Sequence, residues 1–173
     1  MSIARCFCNT KAKLAKTERE IRICGEWNSM YKELISELTQ ENEWVKIQPP
    51  CSENDIDTAE KAVGYPFPKE LRKLLLEMNG DKYLLLSIDE IVEQAKLNRE
   101  IKEEYNDEEF AKELDKFIFF AGNGCGDYYC YHANADGVID EDSIYIWEHE
   151  EYCWKQVASN MAELLSRYYH DEI

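Results

Sequence analysis

The stretch that decides the fold runs from residue 56 to residue 80 and reads IDTAEKAVGYPFPKELRKLLLEMNG. Its first part predicts a helix, because Ile56, Ala59 and Val63 recur at three- and four-residue steps and so share one face. Gly64 is placed to end this helix in a left-handed cap, a conformation that glycine adopts without steric cost.

The second part of the stretch predicts another helix. Pro68 fits its first position, where a backbone N–H would have no partner in any case. Its buried face is formed by Leu71, Leu74, Leu75 and Met78. Asn79 and Gly80 end this helix, with glycine supplying a positive φ angle. Between the two helices, the Glu60 carboxylate can accept a hydrogen bond from a loop whose prolines have no N–H to donate.

Further helices are expected on both sides. Apolar spacing between residues 28 and 42 predicts a helix that opens at Met30. Ser52 with Asp55 and Ser87 with Glu90 have the spacing of capping boxes, which start helices. A shorter helix is expected over residues 107–115.

The second half of the chain predicts a sheet. Short strands are expected over residues 83–86, 117–121, 127–133 and 143–149. A glycine-rich turn leads to Gly126 and Asp127, and the Asp127 carboxylate is placed to accept hydrogen bonds from turn amides. A helix over residues 156–169 closes the chain. This order predicts a single α+β domain in which N-terminal helices and a C-terminal helix pack on an antiparallel sheet, with a mixed sheet as the alternative.

The composition narrows the class of partner. The chain has 173 residues, of which 45% are hydrophobic and 32% charged, and its net charge is −16. A protein that binds nucleic acid needs a cationic face to displace the counterions of phosphate, so this chain is not expected to bind nucleic acid directly. Binding to anionic membranes is disfavoured for the same reason. The acidity favours a basic partner instead.

The charge also divides the chain. Residues 1–22 contain six basic and two acidic residues, so the acidic excess lies in the remainder. We therefore expect residues 1–29 to be a basic N-terminal extension and residues 30–173 to be the domain. No apolar run has the length of a membrane span, and no apolar signal region follows the first basic residues. Seven cysteines without an export signal are expected to be reduced thiols in a cytoplasmic protein.

Several of these segments together, in order, resemble a known family. The matching residues are the 56–80 motif, Leu86–Ile91, Phe119–Ala121 with the turn to Gly126-Asp127, Ile146–Glu150 and Val157–Leu165. Over roughly residues 30–170 the chain resembles the SUKH superfamily, which includes the yeast Smi/Knr cell-wall-synthesis regulator and many bacterial toxin-immunity proteins.

The resemblance implies a protein that works by binding others. Its bacterial branch implies an immunity protein that neutralises a cognate toxin domain, and the acidity suggests a toxin with a basic cleft, such as a nuclease. The alternative is a regulatory scaffold of the cell-wall-regulator type that binds endogenous partners. A remote alternative is a thiol- or metal-dependent enzyme.

Residues 136–151 are the candidate partner-binding surface. They contain no lysine or arginine and seven acidic residues, namely Asp136, Asp140, Glu141, Asp142, Glu148, Glu150 and Glu151. Crowding like charges gives folding no benefit, and the interleaved Tyr145, Trp147 and Tyr152 could anchor a partner. The alternative interpretation is a solvated acidic edge that keeps the protein soluble. The helix around Glu100–Glu109 is the next surface to consider.

Cysteine and histidine residues near the strands suggest a metal or catalytic site. The candidates are Cys125, Cys130, His132, His149 and Cys153. Zinc usually takes four ligands as two close pairs, and only Cys130 and His132 form such a pair. A Cys–His nucleophile is opposed by the acidic surroundings, which raise the pKa of a thiol. The glycine-rich turn lacks the lysine of a phosphate loop, and the acidic segment lacks EF-hand spacing. No catalytic residue, metal or cofactor is therefore expected.

Overall fold

The chain folds into a group of helices, a sheet and a final helix. The computed structural model describes residues 30–40 and 42–173, so the expected extension over residues 1–29 lies outside the described residues. The helices are Met30–Thr39 (α1), Glu53–Val63 (α2), Lys69–Glu77 (α3), Ile88–Glu104 (α4), Met161–Tyr169 (α5) and the 3-10 helix Glu109–Lys116 (η1). The strands are Phe117–Gly122 (β1), Tyr128–His132 (β2), Ile144–Glu148 (β3) and Cys153–Ala158 (β4). The predicted α+β class is confirmed.

The strands form one antiparallel sheet in the order β1-β2-β3-β4. Each strand pairs with the next one in sequence, as short turns between antiparallel neighbours allow. Within the described strands every pair is antiparallel, so the predicted antiparallel sheet is confirmed and the mixed alternative does not occur.

Residues 83–86 do not form the predicted strand. They meet the sheet at Leu85, which lies opposite Ala121 in an isolated bridge. The buried Asp81 carboxylate explains this, because its Oδ1 accepts the backbone N–H groups of residues 83–85 at 2.8–2.9 Å. These donors serve a side chain of the same loop, so the segment curves around Asp81 instead of extending along the sheet.

The last helix begins at Met161, whereas the prediction placed its start at Gln156. Residues 153–158 instead form β4, a strand that the sequence pattern missed. Val157 has helical spacing to Met161, and that spacing led to the wrong assignment. The Val157 side chain lies in the core, as it would in a helix, but it is placed there by the pairing of β4 with β3.

Two side chains fix the start of α5. The side chain of Asn160 accepts the N–H of Glu163 at 2.9 Å, as a helix N-cap does. Oε2 of Glu70 in α3 accepts the N–H of Met161 at 2.7 Å. The helix therefore begins where its free N–H groups find acceptors, and one of these acceptors is remote in sequence.

The connection between α2 and α3 has the hydrogen bond that the sequence predicts. Oε1 of Glu60 accepts the N–H of Phe67 at 2.8 Å and also binds the Arg72 guanidinium at 2.7 Å. Gly64 ends α2 with a φ of 94°. Pro68 is the N-cap of α3, one residue before the predicted position. These contacts connect the end of α2 to the start of α3.

Asn79 and Gly80 tie α3 to α4. Gly80 has a φ of 79°, and a Cβ atom there would lie 2.7–2.8 Å from backbone atoms of residues 85–87, so the turn leaves no room for a side chain. Oδ1 of Asn79 accepts the N–H of Ile88, the first residue of α4, at 2.6 Å.

The two faces of the sheet are covered differently. The inner face packs against α1–α5, and its buried side chains include Ile118, Phe120, Tyr129, Tyr131, Ile144 and Ile146. The outer face packs against η1 and is largely aromatic; its buried side chains are Phe117, Phe119, Cys130 and Trp147. Side chains alternate along each strand, so the same strands supply both layers.

Candidate partner-binding surface

The structure divides the predicted acidic surface into two groups. Asp136, Asp140, Glu141 and Asp142 lie in the β2–β3 loop, whereas Glu148, Glu150 and Glu151 lie at the other end of β3. The five residues of β3 span about 13 Å at roughly 3.3 Å per step. The seven carboxylates therefore form two separate clusters rather than one continuous patch.

The acidic residues of the β2–β3 loop take part in local structure. Oδ1 of Asp140 accepts the N–H of Asp142 at 3.1 Å, and its Oδ2 accepts the hydroxyl of Tyr145 at 3.3 Å. Glu141 lies 3.3 Å from the ammonium of Lys69 in α3. Part of the acidic character of this loop therefore serves its own conformation and its attachment to the helices.

Trp147, one of the three aromatic residues that the sequence suggests as anchors, is buried. Its exposed fraction is 5%, and its ring lies 5.4 Å from that of Phe117 and 6.0 Å from that of Trp154. It belongs to the outer-face core, so its ring does not point to solvent. Tyr145 is half-buried, and its hydroxyl is engaged by Asp140.

Three aromatic side chains that are partly open to solvent meet beside the β3–β4 turn. The ring of Tyr152 stacks on Phe110 of η1 with centroids 4.4 Å apart, and Phe110 lies 6.0 Å from Tyr105. Tyr152 is 54% exposed and Tyr105 is 47% exposed. We call these three residues the tyrosine face. It joins the end of α4, the start of η1 and the β3–β4 turn.

Acidic residues flank the tyrosine face on both segments. We call them the acidic margin: Glu103, Glu104, Asp107, Glu108, Glu109, Glu150 and Glu151. All seven are exposed. The stacking of Phe110 on Tyr152 thus holds two acidic segments, about forty residues apart in the chain, next to each other. The sequence makes both segments candidate surfaces, but it contains no signal that they meet.

The glycine-rich β1–β2 turn is held in a different way from the prediction. Oδ1 of Asn123, not Asp127, accepts the turn amides of Cys125 and Asp127, at 2.9 and 3.2 Å. Asp127 reaches the neighbouring turn, where its Oδ1 accepts the N–H of His149 at 3.1 Å and lies 2.8 Å from Nδ1 of that ring. The prediction for Asp127 was therefore right about hydrogen bonding to a turn amide and wrong about which turn.

The link between the two turns explains why residue 126 is a glycine and why the pKa of Asp127 is lowered. Gly126 has a φ of 104°, and a Cβ there would lie 2.9 Å from the His149 ring. Partial burial opposes ionisation of Asp127, but the hydrogen bonds from His149 and Asn123 outweigh it and lower the pKa of that carboxyl. The result is an ionised Asp127 that connects the β1–β2 turn to the β3–β4 turn beside the acidic margin.

A comparison with protein families identifies the relatives of this fold. The model of the SMI1 / KNR4 family (SUKH-1) matches residues 50–167, which is more than half of the chain. The chain belongs to the SMI1 / KNR4 family. The matched range includes the 56–80 motif and all three residues of the tyrosine face. Comparison with curated proteins found no match.

Three of the four cysteines that the structure of this SUKH-1 protein describes, Cys51, Cys130 and Cys153, are poorly suited to nucleophilic chemistry. Burial raises the pKa of Cys130 well above its usual value and that of Cys51 to about 11. Desolvation and the carboxylate of Glu148, which lies 3.4 Å from Sγ, raise the pKa of Cys153. Since the thiolate is the reactive form, these environments disfavour a nucleophilic cysteine.

Potential metal ligands converge at one place in the described part of the chain. Glu148, Glu151 and Cys153 have ligand atoms within 4.8 Å of one another. Of the five cysteine and histidine candidates, this group includes Cys153 alone. Glu148 already binds the ammonium of Lys155 at 2.6 Å. This arrangement does not resemble the four-ligand tetrahedral sites that zinc prefers.

Within residues 30–40 and 42–173, none of the helices combines the length and apolar character needed to cross a bilayer. This finding is consistent with the short apolar runs in the sequence.

Proposed function

We propose that this protein is an immunity protein that binds a cognate toxin domain and neutralises it, with a nuclease-type domain as the target. Membership of the SMI1 / KNR4 family supports a role in binding proteins. The net charge of −16 supports a basic target. A nuclease needs a cationic cleft for phosphate, and an acidic protein can fill such a cleft in place of the nucleic acid.

The observation that carries the proposal is the pairing of exposed aromatic side chains with unusually dense acidic charge. Both acidic clusters of residues 136–151 are candidates for the contact, as is the segment around Glu100–Glu109. Charge of one sign speeds the encounter with an oppositely charged partner. Aromatic side chains that become covered in the complex then slow its dissociation.

The proposal places the protein in the cytoplasm, where it acts by stoichiometric binding and not by catalysis. The raised pKa values of Cys130 and Cys153 support binding over thiol catalysis. Single substitutions Cys125→Ser and Cys153→Ser should therefore leave neutralisation intact. A folded Cys153→Ser protein that no longer protects cells would favour the thiol-enzyme alternative.

The direct test needs a candidate toxin, which we would seek as a secreted protein with a toxin-like C-terminal domain encoded by an adjacent gene. Its C-terminal domain is expressed in cells with and without the full-length protein. We expect growth only when both are present, and a stoichiometric complex of the purified proteins in gel filtration. Association should slow markedly when salt is raised to about 0.5 M, because screening weakens the attraction between the two charged surfaces. Absence of both protection and complex formation would overturn the proposal.

A further inference from the structure

The tyrosine face exposes apolar surface that the folded chain itself does not cover. The Phe110 and Tyr152 rings stack, yet Tyr152 and Tyr105 each keep about half of their surface in water. Aromatic side chains stabilise a fold mainly through the area that they remove from water. Two half-exposed tyrosines beside a third ring therefore offer area that a partner can cover.

The backbone conformation of Tyr152 indicates that this residue has a role besides forming the turn. Its φ is 50°, in the left-handed region that residues with a side chain rarely adopt. The other sheet turns place Gly126 and Gly137 at such angles, with φ values of 104° and 76°. Glycine or asparagine would hold the β3–β4 turn with less strain. Strained residues concentrate at functional sites, and Tyr152, one of four non-glycine residues with a positive φ in the described part of the chain, carries one of the exposed rings.

The acidic margin defines the chemistry of the partner. Within the margin, Lys112 pairs with Glu109 at 2.5 Å, and next to the margin Lys155 pairs with Glu148 at 2.6 Å. The other carboxylates of the margin leave both segments strongly negative. Arginine suits such a surface, because its guanidinium stacks on aromatic rings and binds carboxylates through two parallel hydrogen bonds.

We infer that the tyrosine face and its acidic margin are the surface that docks the toxin domain, and that the docked element is an arginine-bearing segment of that domain. This inference rests on the proposed function and narrows it to one of the candidate surfaces. Tyr105 and Tyr152 are the anchors, and the margin orients the arginine side chains. The acidic β2–β3 loop, at the other end of β3, lies outside the contact.

The first experiment measures binding of the toxin domain to full-length variants by surface plasmon resonance. Tyr105→Ser with Tyr152→Asn should speed dissociation at least about thirtyfold, as loss of central aromatic anchors does. Asparagine tolerates the positive φ at position 152, so this variant should stay folded by circular dichroism. The matched control is Tyr83→Ser, since Tyr83 is also a half-exposed tyrosine, 45% exposed, stacked on a second ring. Its dissociation should change less than twofold.

Two double variants with the same change in net charge distinguish the acidic margin from the acidic β2–β3 loop. Glu104→Lys with Glu108→Lys reverses two charges of the margin, and Asp136→Lys with Asp142→Lys reverses two in the β2–β3 loop. The margin variant should weaken binding at least about tenfold, while the loop variant should change it less than about threefold, since distant exposed charges are screened. The opposite ranking would overturn the inference and leave the proposed function standing.

A probe of known chemistry tests the surface without the toxin. A hexa-arginine peptide is titrated into the isotope-labelled full-length protein, with a hexa-glutamate peptide as control. Amide NMR shifts should be largest in residues 103–112 and 148–154. Shifts centred on residues 136–142, or spread evenly over the surface, would overturn the inference. If the toxin domain does not bind the unaltered protein, the proposed function fails, and this titration alone decides which surface takes a cationic ligand.

Discussion

The inner and outer faces of the sheet are made from the same strands, but more helices cover the inner face than the outer face. The inner face is covered by α1–α5, and residues such as Ile118 and Tyr131 are fully buried there. The outer face is covered by η1 and by Ile101 of α4, and Trp154 at its edge stays 37% exposed. The difference separates two tasks, since the inner face holds the fold together and the outer side presents a surface.

A core substitution on each face should show the largest effect and test this contrast. Leu74→Ala removes a fully buried side chain from the inner core and should cost about 3–5 kcal/mol of unfolding free energy. Leu114→Ala removes one from the outer core, next to solvent, where neighbouring side chains can relax into the space. It should cost about 2–3 kcal/mol. Urea unfolding measures both values, and equal losses would contradict the contrast.

The next effect concerns the buried carboxylate on the helix side. Asp81→Ala leaves the N–H groups of residues 83–85 without their acceptor, and each unsatisfied buried donor costs about 1–3 kcal/mol. Since water can reach part of the loop, we expect a loss of about 2–4 kcal/mol in chemical unfolding. The control is Tyr169→Phe, which removes the 3.3 Å hydroxyl bond to the other oxygen of Asp81. A loss for Tyr169→Phe as large as that for Asp81→Ala would locate the stabilisation elsewhere.

Acidification should act on the outer face through His132. Burial lowers the pKa of this histidine, and the nearby carboxylate of Glu113 only partly opposes the effect. As the pH falls, the unfolded chain therefore takes up the proton first, near pH 6.5. The contribution of His132 to the free energy of unfolding is complete above that pH and is lost as the pH drops below it. Melting temperatures at pH 7.5, 6.5 and 5.5 should fall more for the native protein than for His132→Phe. Parallel curves would show that His132 does not contribute.

Removal of the segment before α1 should have the smallest effect. We propose that the domain comprises residues 30–173, because Oε2 of Glu77 accepts the N–H of Tyr31 at 2.6 Å and so ties α1 to α3. A chain that begins at Met30 should then melt at nearly the same temperature as the full-length protein, and the limit is a fall of about 10 °C, which corresponds to a few kcal/mol at this size. A larger fall in a thermal scan would make residues 1–29 part of the core.

The sequence by itself determined the parts of the fold that local interactions decide. Gly64 ends α2 because only a residue without Cβ takes its left-handed angle freely, and the Glu60 carboxylate bonds the nearby N–H of Phe67. Ser52 and Ser87 form the predicted capping boxes with residues three positions ahead. These signals lie within one or two helical turns, so they can be read without the rest of the chain.

Tertiary structure alone decided the features that depend on partners remote in sequence. β4 is a strand because β3 pairs with it, although the spacing of Val157 suits a helix equally well. Trp147 is buried because η1 and Trp154 pack around it, and Tyr105 meets Tyr152 through Phe110. Periodicity fixes which face of a strand a side chain points to. Whether that face is covered, and by which segment, depends on long-range packing.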